Sequence, residues 1–561
     1  MVRDIFRDST IGQAINHISN GRIFPYAEQR PAFQVPLHFL PVKPPSTILS
    51  PDSDAITLCN AETPRDTMPR VELTRESTLA VDVEAEKHWD SCTVGWYSDD
   101  DQDNPRNWSP AKRAFVAFCI SFLTFSVYIG SAIYTPSIPG LMIDFNVSQT
   151  TATLGLTLYV LAYGIGPMFL APLQEIPSIG RNLVYMATLF LFIIFQIPIV
   201  MAKNMSTVLA FRFLTGFVSS PALATGGASM TDIYPVNHIS YVLGIWALGG
   251  VAGPILGPVI GGFAAQANGW RWPQYELIWI VSFALIFLLL LLPETYGPTI
   301  LLKRARRLRK LTRNQQLRSQ SEKDLEGESF TAVMKEALIR PFILAKEPVL
   351  MFSNLYIGFV YAIFYLWFEA FPLVFTDIYH FRLGISDLPF LGFIVSAAIT
   401  YAVYVIYLKY RIAPLFAKAR TTGVDVLPEI HLEIGLMASI FIPTSLLIFG
   451  FTAKESIHWI FPVIGAALYH PGIYFSFQSI LTYVTCAYPA YAASVLAGNT
   501  LFRSTVASVF PLFGRAFFLN LGLGPGSALL AGISFLLIPV FWSLWKWGPV
   551  LRRRSVYAFS S

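Results

Sequence analysis

The sequence predicts an all-α membrane protein: twelve transmembrane helices in two six-helix bundles, with both termini cytosolic. Three observations carry this. Only 13% of the 561 residues are charged and 54% are hydrophobic, whereas an average soluble domain carries about 25% charged residues. The apolar residues come in blocks, with stretches such as 279–292 and 534–545 free of charge, and many blocks reach the ~20 helical residues that cross a ~30 Å hydrocarbon core. A polar insert over 294–347 splits the blocks into six and six. An ordinary soluble enzyme is excluded. So is a disordered chain, because aromatic residues make up 15% of the sequence and disordered segments are aromatic-poor.

Residues 1–111 hold no convincing span. PVKPPSTILSPDSD and SDDDQDNPRNWS are polar and lack apolar periodicity, so a mostly disordered cytosolic arm is expected there, passive in transport. The first 20 residues also read as a short amphipathic helix. The start, MVRDIFRDSTIGQAINHI, lacks the ~7–15-residue apolar core of a signal peptide. Hydropathy then places spans at 112–136, 151–172, 182–202, 207–230, 240–265 and 274–293, the first bundle (112–293). After the central loop (294–347), spans follow at 348–375, 386–408, 430–451, 457–481, 489–516 and 525–547, the second bundle (348–547). Residues 548–561 form a cytosolic tail.

Lys and Arg set the orientation. One side carries Arg181, the run Lys303, Arg304, Arg306, Arg307, Arg309 and Lys310, then Lys409, Arg411, Lys418, Arg420, and finally Arg552, Arg553 and Arg554. The other side has Lys203, Arg271, Arg382 and Lys454. The rich side is expected to be cytosolic, which places the sequons at Asn146 and Asn204 outside and close to the membrane. Four cysteines do not make a disulfide scaffold. Six spans, a basic loop and six more form the pattern of a secondary transporter with a midplane site. Hydropathy alone also allows a receptor-like or channel-like bundle. No G-x-x-x-x-G-K-[ST] motif supports ATP-driven pumping within the chain.

The fifth span reads GIWALGGVAGPILGPVIGGF. Gly249, Gly253, Gly257 and Gly261 recur every four residues and leave one helix face bare, which lets another helix approach closely. Pro254 and Pro258 each remove a backbone donor and bend the helix. Such a close, bent contact is expected where two bundles rock; a plain packing stripe is the blander reading. In GPMFLAPLQEIPSIGR, Glu175, Gly180 and Arg181 supply a carboxylate, a permissive turn and a cation, and Asp232 ends the fourth span on the same side. A Glu175, Arg181 and Asp232 cluster would lock a gate by charge pairing; a turn that merely anchors helices is the alternative.

Ionisable groups inside spans are costly and mark functional candidates. Arg212 stays charged and would bias a neighbouring carboxylate or hold a proton-dependent contact, or it snorkels to the interface. Glu369 would carry a proton if desolvated, or sit in interfacial water. His470 reads as a packing residue, and Arg503 as structural rather than substrate-facing. On the seventh span Tyr361, Tyr365 and Phe368 share a helical face, with Phe371 beyond them. Aromatic faces bind flat apolar and cationic molecules, though they also face lipid.

These residues resemble the fungal major facilitator superfamily, in its twelve-span drug:proton antiporter group, and within it the yeast exporters of the fluconazole- and benomyl-resistance type. The resemblance covers nearly the whole chain. It is carried by RDSTIGQAINHIS, WYSDDDQDNPRNW, GPMFLAPLQEIPSIGR (with Glu175 where many members have Asp), LAFRFLTGF, GGVAGPILGPVIGG, LPETYGPTILLKRARRLRK and FRSTVASVFPLFG. The fifth-span segment is the most specific of these. Two segments depart: TYVTCAYPAYAAS puts Cys486 where many relatives have Asp, and GWRWPQYELIW differs from the W-R-W-T-F-W form.

The resemblance implies a major facilitator fold and proton-driven export of amphipathic toxic compounds, azole antifungals among them, across the plasma membrane. It maps Arg212 to proton coupling, Gly253, Pro254 and Gly257 to direction and leak control, and Glu175, Gly180 and Arg181 to gating. A dedicated exporter of one fungal secondary metabolite is the alternative in the same fold. A sensor on a transporter scaffold and a nutrient importer are the others. Small amphipathic drugs or metabolites, protons and the lipid bilayer are the expected partners. No catalytic residue, cofactor, metal site or nucleic-acid partner is expected, and a monomer is.

Overall fold

The computed structural model describes residues 2–19, 22–30, 33, 39, 92–324, 330–423, 426–555 and 557–558. Among the described residues its frame is twelve helices long and apolar enough to cross a membrane: Pro110–Phe145, Gln149–Gln174, Gly180–Val200, Met205–Ile233, His238–Asn268, Trp272–Leu291, Pro348–Ile378, Leu383–Ala419, Pro428–Thr452, Ile460–Ala487, Ala492–Leu521 and Leu523–Arg554. They are called spans 1 to 12 below. The chain is therefore a multi-pass membrane protein.

Helix starts follow from local chemistry. Ser109 caps span 1 by accepting from Lys112 N at 3.3 Å, with Pro110 at the first helical position. Ser148 caps span 2 and Asn204 caps span 4 in the same way. Asn204 Oδ1 takes both the Thr207 amide and the Thr207 hydroxyl, so this sequon side chain is already engaged in a helix cap. Span 8 outruns its expected end at residue 408. Its polar continuation through Lys409, Arg411 and Lys418 meets no helix breaker until Gly423, at φ +67°.

In the first bundle, span 1 packs along span 5, span 2 along span 4, and span 3 against spans 4 and 6. In the second, span 7 runs along span 11, and span 9 against spans 10 and 12. Spans 2 with 11, and 5 with 8, make the seam between the bundles. Large apolar side chains such as Trp279, Phe283 and Ile286 lie exposed along one side of span 6, spaced for a lipid-facing stripe.

The glycine stripe does not lie on the seam. Gly249 sits on Ser121, Gly253 on Ile129, and Gly257 and Gly261 on Ile133, all of span 1 in the same bundle. The reason is geometric: span 5 has two bare faces. Gly244 and Gly262 occupy the other, against Tyr401, Tyr474 and Asp387 of the second bundle. The motif welds span 5 to span 1, and the seam uses different glycines.

The expectation of a mostly disordered arm over 1–111 needs revision where the structure describes it; residues 40–91 lie outside the described residues. Val2–Asp8 and Thr10–Ile18 are helices. Thr93–Val94 pairs in parallel with Arg318–Ser319 of the central loop. The arm folds because its acidic residues meet the basic helix Gly297–Thr312. Arg304, fully buried, binds Asp101 at 2.6 Å, Asp103 at 2.8 Å and Glu28 at 3.2 Å, and its guanidinium lies 4.1 Å over the Tyr97 ring. Arg307 also reaches Glu28, at 3.2 Å, while Asp8 takes Lys112 of span 1 at 3.3 Å. Burial pushes the Asp101 carboxyl up, but bonds from Arg304 and from the Tyr97 amide outweigh it and leave it below its usual value.

Candidate functional site

The centre of the seam is a cluster of tyrosines. Tyr128 of span 1, Tyr163 of span 2 and Tyr361 and Tyr365 of span 7 are all buried. The Tyr361 hydroxyl bonds to those of Tyr128 and Tyr163, and Tyr163 reaches Tyr365 at 3.4 Å. Four hydroxyls, two from each bundle, thus share a network across the seam. Arg503 of span 11 lies 5.3 Å over Tyr361 and 5.4 Å over Phe477. It is partly exposed, and its Nε has no hydrogen-bond partner among the described residues. Arg503, expected to be structural, has its guanidinium in this central cluster. Tyr128 and Tyr163 were not singled out; a tyrosine in the middle of an apolar span was their only signal.

The substrate-face residues divide. Tyr361 and Tyr365 face the seam. Phe368 stacks on Phe390 at 5.4 Å and sits 5.6 Å from Tyr365, at the cluster's edge. Phe371 is wholly buried against Phe390, at 4.1 Å, and against Phe449 of span 9, inside the second bundle. It is core. His470 is also buried, with its ring 5.8 Å from Tyr474.

Arg212 is fully buried, and its partners are backbone carbonyls. Nε donates to Gly155 O at 3.0 Å, and the terminal nitrogens donate to Gly130 O at 2.8 Å and Ser131 O at 3.4 Å. The guanidinium lies over Tyr134 and Tyr159, at 4.6 and 4.4 Å. No carboxylate pairs with it among the described residues. Two glycines expose the carbonyls that take its protons, and Arg212 ties spans 1, 2 and 4 together. Glu369 instead bridges the bundles. It is 5% exposed and accepts from Gln149 Nε2 of span 2 at 3.3 Å.

At the end that carries the arm, Arg181 pairs with Asp232 at 2.7 Å. Glu175 is exposed and stays outside that pair; its carbonyl accepts from the Tyr296 hydroxyl at 3.1 Å. The buried third member is Glu294, just past span 6. Its carboxylate accepts from the amides of Arg181 and Asn182 at the start of span 3, both at 3.3 Å, and from those of the adjoining Thr295 and Tyr296 at 3.1 Å. Gly180 stands at φ +75°, and a Cβ there would lie 2.9 Å from Thr299 Oγ1 and foul the Glu294 carboxylate. Glycine meets both demands. The LPETYG segment carried the signal for Glu294, a carboxylate placed immediately beyond a span.

The fold and this seam can now be set beside known proteins. The model of the Major Facilitator Superfamily matches residues 120–511. The chain belongs to the Major Facilitator Superfamily. It is 42% identical to Transporter mfs1 of Schizosaccharomyces pombe over 83% of this chain and 88% of that protein. It is 38% identical to the Cycloheximide resistance protein of Candida maltosa over 99% of both chains. Fluconazole resistance protein 1 of Saccharomyces cerevisiae matches at 38% identity over 83% of this chain and 85% of its own length. Among solved structures, the human organic anion transporter MFSD10 superposes with a TM-score of 0.54 at 13% identity, covering 77% of this chain and all of that one. The last is a likeness of fold.

Proposed function

We propose that this major facilitator protein is a proton-driven multidrug exporter of the plasma membrane that carries amphipathic toxic compounds, azoles among them, out of the cell. It is a transporter and not an enzyme. The observation that carries the reading is the tyrosine and arginine cluster at the centre of the two-bundle seam. It offers flat aromatic faces, hydroxyls and one free guanidinium donor to a small molecule. Similarity to proteins named for cycloheximide and fluconazole resistance, over 99% and 83% of this chain, supports the direction and cargo class.

The basic end that holds the arm, the central helix and both termini is the cytosolic one. Glu369 carries the coupling proton at the opposite end of span 7, where it also closes onto Gln149. Arg212 holds spans 1, 2 and 4 in register for that exchange, and Arg181 with Asp232 steadies the cytosolic end. Bundle rocking about the seam alternates access. The protein works as a monomer.

The test is expression in yeast stripped of its own drug pumps, preloaded with a labelled azole, with and without a protonophore. Efflux that the protonophore abolishes, absent from the empty vector, is expected. Absence of efflux with the protein confirmed at the surface overturns the multidrug reading in favour of a dedicated metabolite exporter.

A further inference from the structure

A second carboxyl group lies in the seam and plays no part in the coupling proposed above. Asp387 sits between the short helix Leu383–Ser386 and the turn Leu388–Phe390 that leads into the long part of span 8. It is 5% exposed. Its side chain points at span 5, where a Cβ on Gly262 would collide with Oδ2. Gln266 of span 5 accepts from the Gly384 amide at 2.9 Å, and Phe263 lies on Gly384. The two spans are thus clasped around the carboxyl.

Among the described residues no cation pairs with it. Oδ2 has no hydrogen-bond partner among the described residues. Span 5 presents Gly262, Phe263 and Gln266, none of them ionisable. The segment Pro372–Ile378, packed against Leu383–Ser386, carries Asp377, which is tied to Arg515 of span 11 at 2.9 Å. In the link before span 8, His380 faces Glu455 at 4.0 Å and Arg382 is exposed. No ion pair joins any of these to Asp387 among the described residues.

An ionised carboxylate taken from water with neither cation nor donor costs several kcal/mol. The neutral acid carries no such charge penalty. We propose that Asp387 binds a proton at the seam: spans 5 and 8 close on the neutral acid and part when it ionises. The group sits at the end of the seam opposite the arm. Resting on the antiporter reading for its place in transport, the site lets acid on that side favour closure, the return step of an exporter.

Infrared difference spectroscopy of the full chain in nanodiscs, between acid and alkaline buffer, tests the protonation. At neutral pH the wild type is expected to keep a protonated-carboxyl carbonyl band that Asp387→Asn loses and Glu369→Gln retains. Spin labels on the exposed Ile385 and Asn268 report the closure. Their separation should lengthen in alkaline buffer in the wild type and stay short and pH-independent in Asp387→Asn, whose amide mimics the neutral acid. A spectrum unchanged by Asp387→Asn, or a pH-dependent separation that survives it, overturns the proposal. Wild-type efflux that ignores a protonophore would sink the antiporter reading while leaving both spectra as expected.

Discussion

Gly257→Ala, set against Gly250→Ala on the same helix, isolates what the bare face of span 5 contributes. A Cβ on Gly257 would lie 2.7 Å from Ile133 N and 3.1 Å from Ala132 C and Ile129 O, all backbone of span 1. An ordinary contact starts at 3.4 Å, so the helices must part by about 0.7 Å (3.4 minus 2.7). Overpacking of this kind costs about 1–3 kcal/mol. Removing a helical glycine gives back roughly 0.5–1 kcal/mol, which leaves Gly257→Ala destabilised. At Gly250 the nearest atoms are Thr124 Cγ2 at 3.8 Å and Tyr128 Cδ1 at 3.9 Å, so there the gain stands unopposed. The two variants should shift the thermal unfolding midpoint of the purified protein in opposite directions. Efflux per molecule should fall in Gly257→Ala alone. Equal midpoints for the two would refute the claim that spans 1 and 5 are welded through this face.

Other consequences are as direct. Arg212→Ala removes three hydrogen bonds from a buried guanidinium that join spans 1, 2 and 4, and a hydrogen bond to a charged group contributes about 1.5–3 kcal/mol; folded yield should drop sharply, and Arg212→Lys should recover part of it, both read by size-exclusion profile. Asp232→Ala strands the buried Arg181; breaking a fully buried pair costs about 3–5 kcal/mol, an upper bound here because Asp232 is half-buried, and the melting midpoint should fall more than in Glu175→Ala, which lies outside the pair. Deleting residues 2–30 removes Glu28 and Asp8 from the clamp on Arg304 and Lys112, so thermal stability should fall; an unchanged midpoint would return the arm to a passive role. Because Asp101 is held below its ordinary value in the folded state, its contribution is present above the unfolded carboxylate range near about pH 3.9 and lost as pH falls through the lower folded value. The hydrogen-exchange protection factors of residues 92–109, corrected for the intrinsic pH dependence of amide exchange, should therefore be flat from neutral to mildly acid pH and fall only below about pH 4.

Much of the frame was legible because a bilayer imposes length and hydropathy on each span. The helical face shared by Tyr361 and Tyr365 was legible for the same periodic reason. Phe371, ten residues beyond Tyr361, turns about 280° at ~100° per residue and so leaves that face for the interior of the second bundle. Periodicity marks a bare helix face but not the neighbour that fills it. That is why the glycine stripe pointed to the seam while its partner is span 1. Arg212 suggested a carboxylate because charge usually seeks charge; carbonyls exposed by Gly130 and Gly155 took that place. Asp387 lies one residue inside the start of the expected eighth span and was not singled out. The arm looked disordered because its carboxylates have no local partners. Their partner cation lies far along the chain, as the 203 residues between Asp101 and Arg304 show.

That separation has a consequence for synthesis. At about 5–20 residues per second, Glu28, Asp101 and Asp103 leave the ribosome at least ten seconds before Arg304 does. In that interval the whole first bundle must enter the membrane. The arm therefore docks last, onto a cation that exists in place only once six spans have been laid down. A chain whose early spans insert wrongly presents no correctly placed Arg304, and its acidic arm stays loose and open to proteases and chaperones. The clamp on Arg304 is thus completed late in synthesis, after the six spans that separate its two halves in the chain.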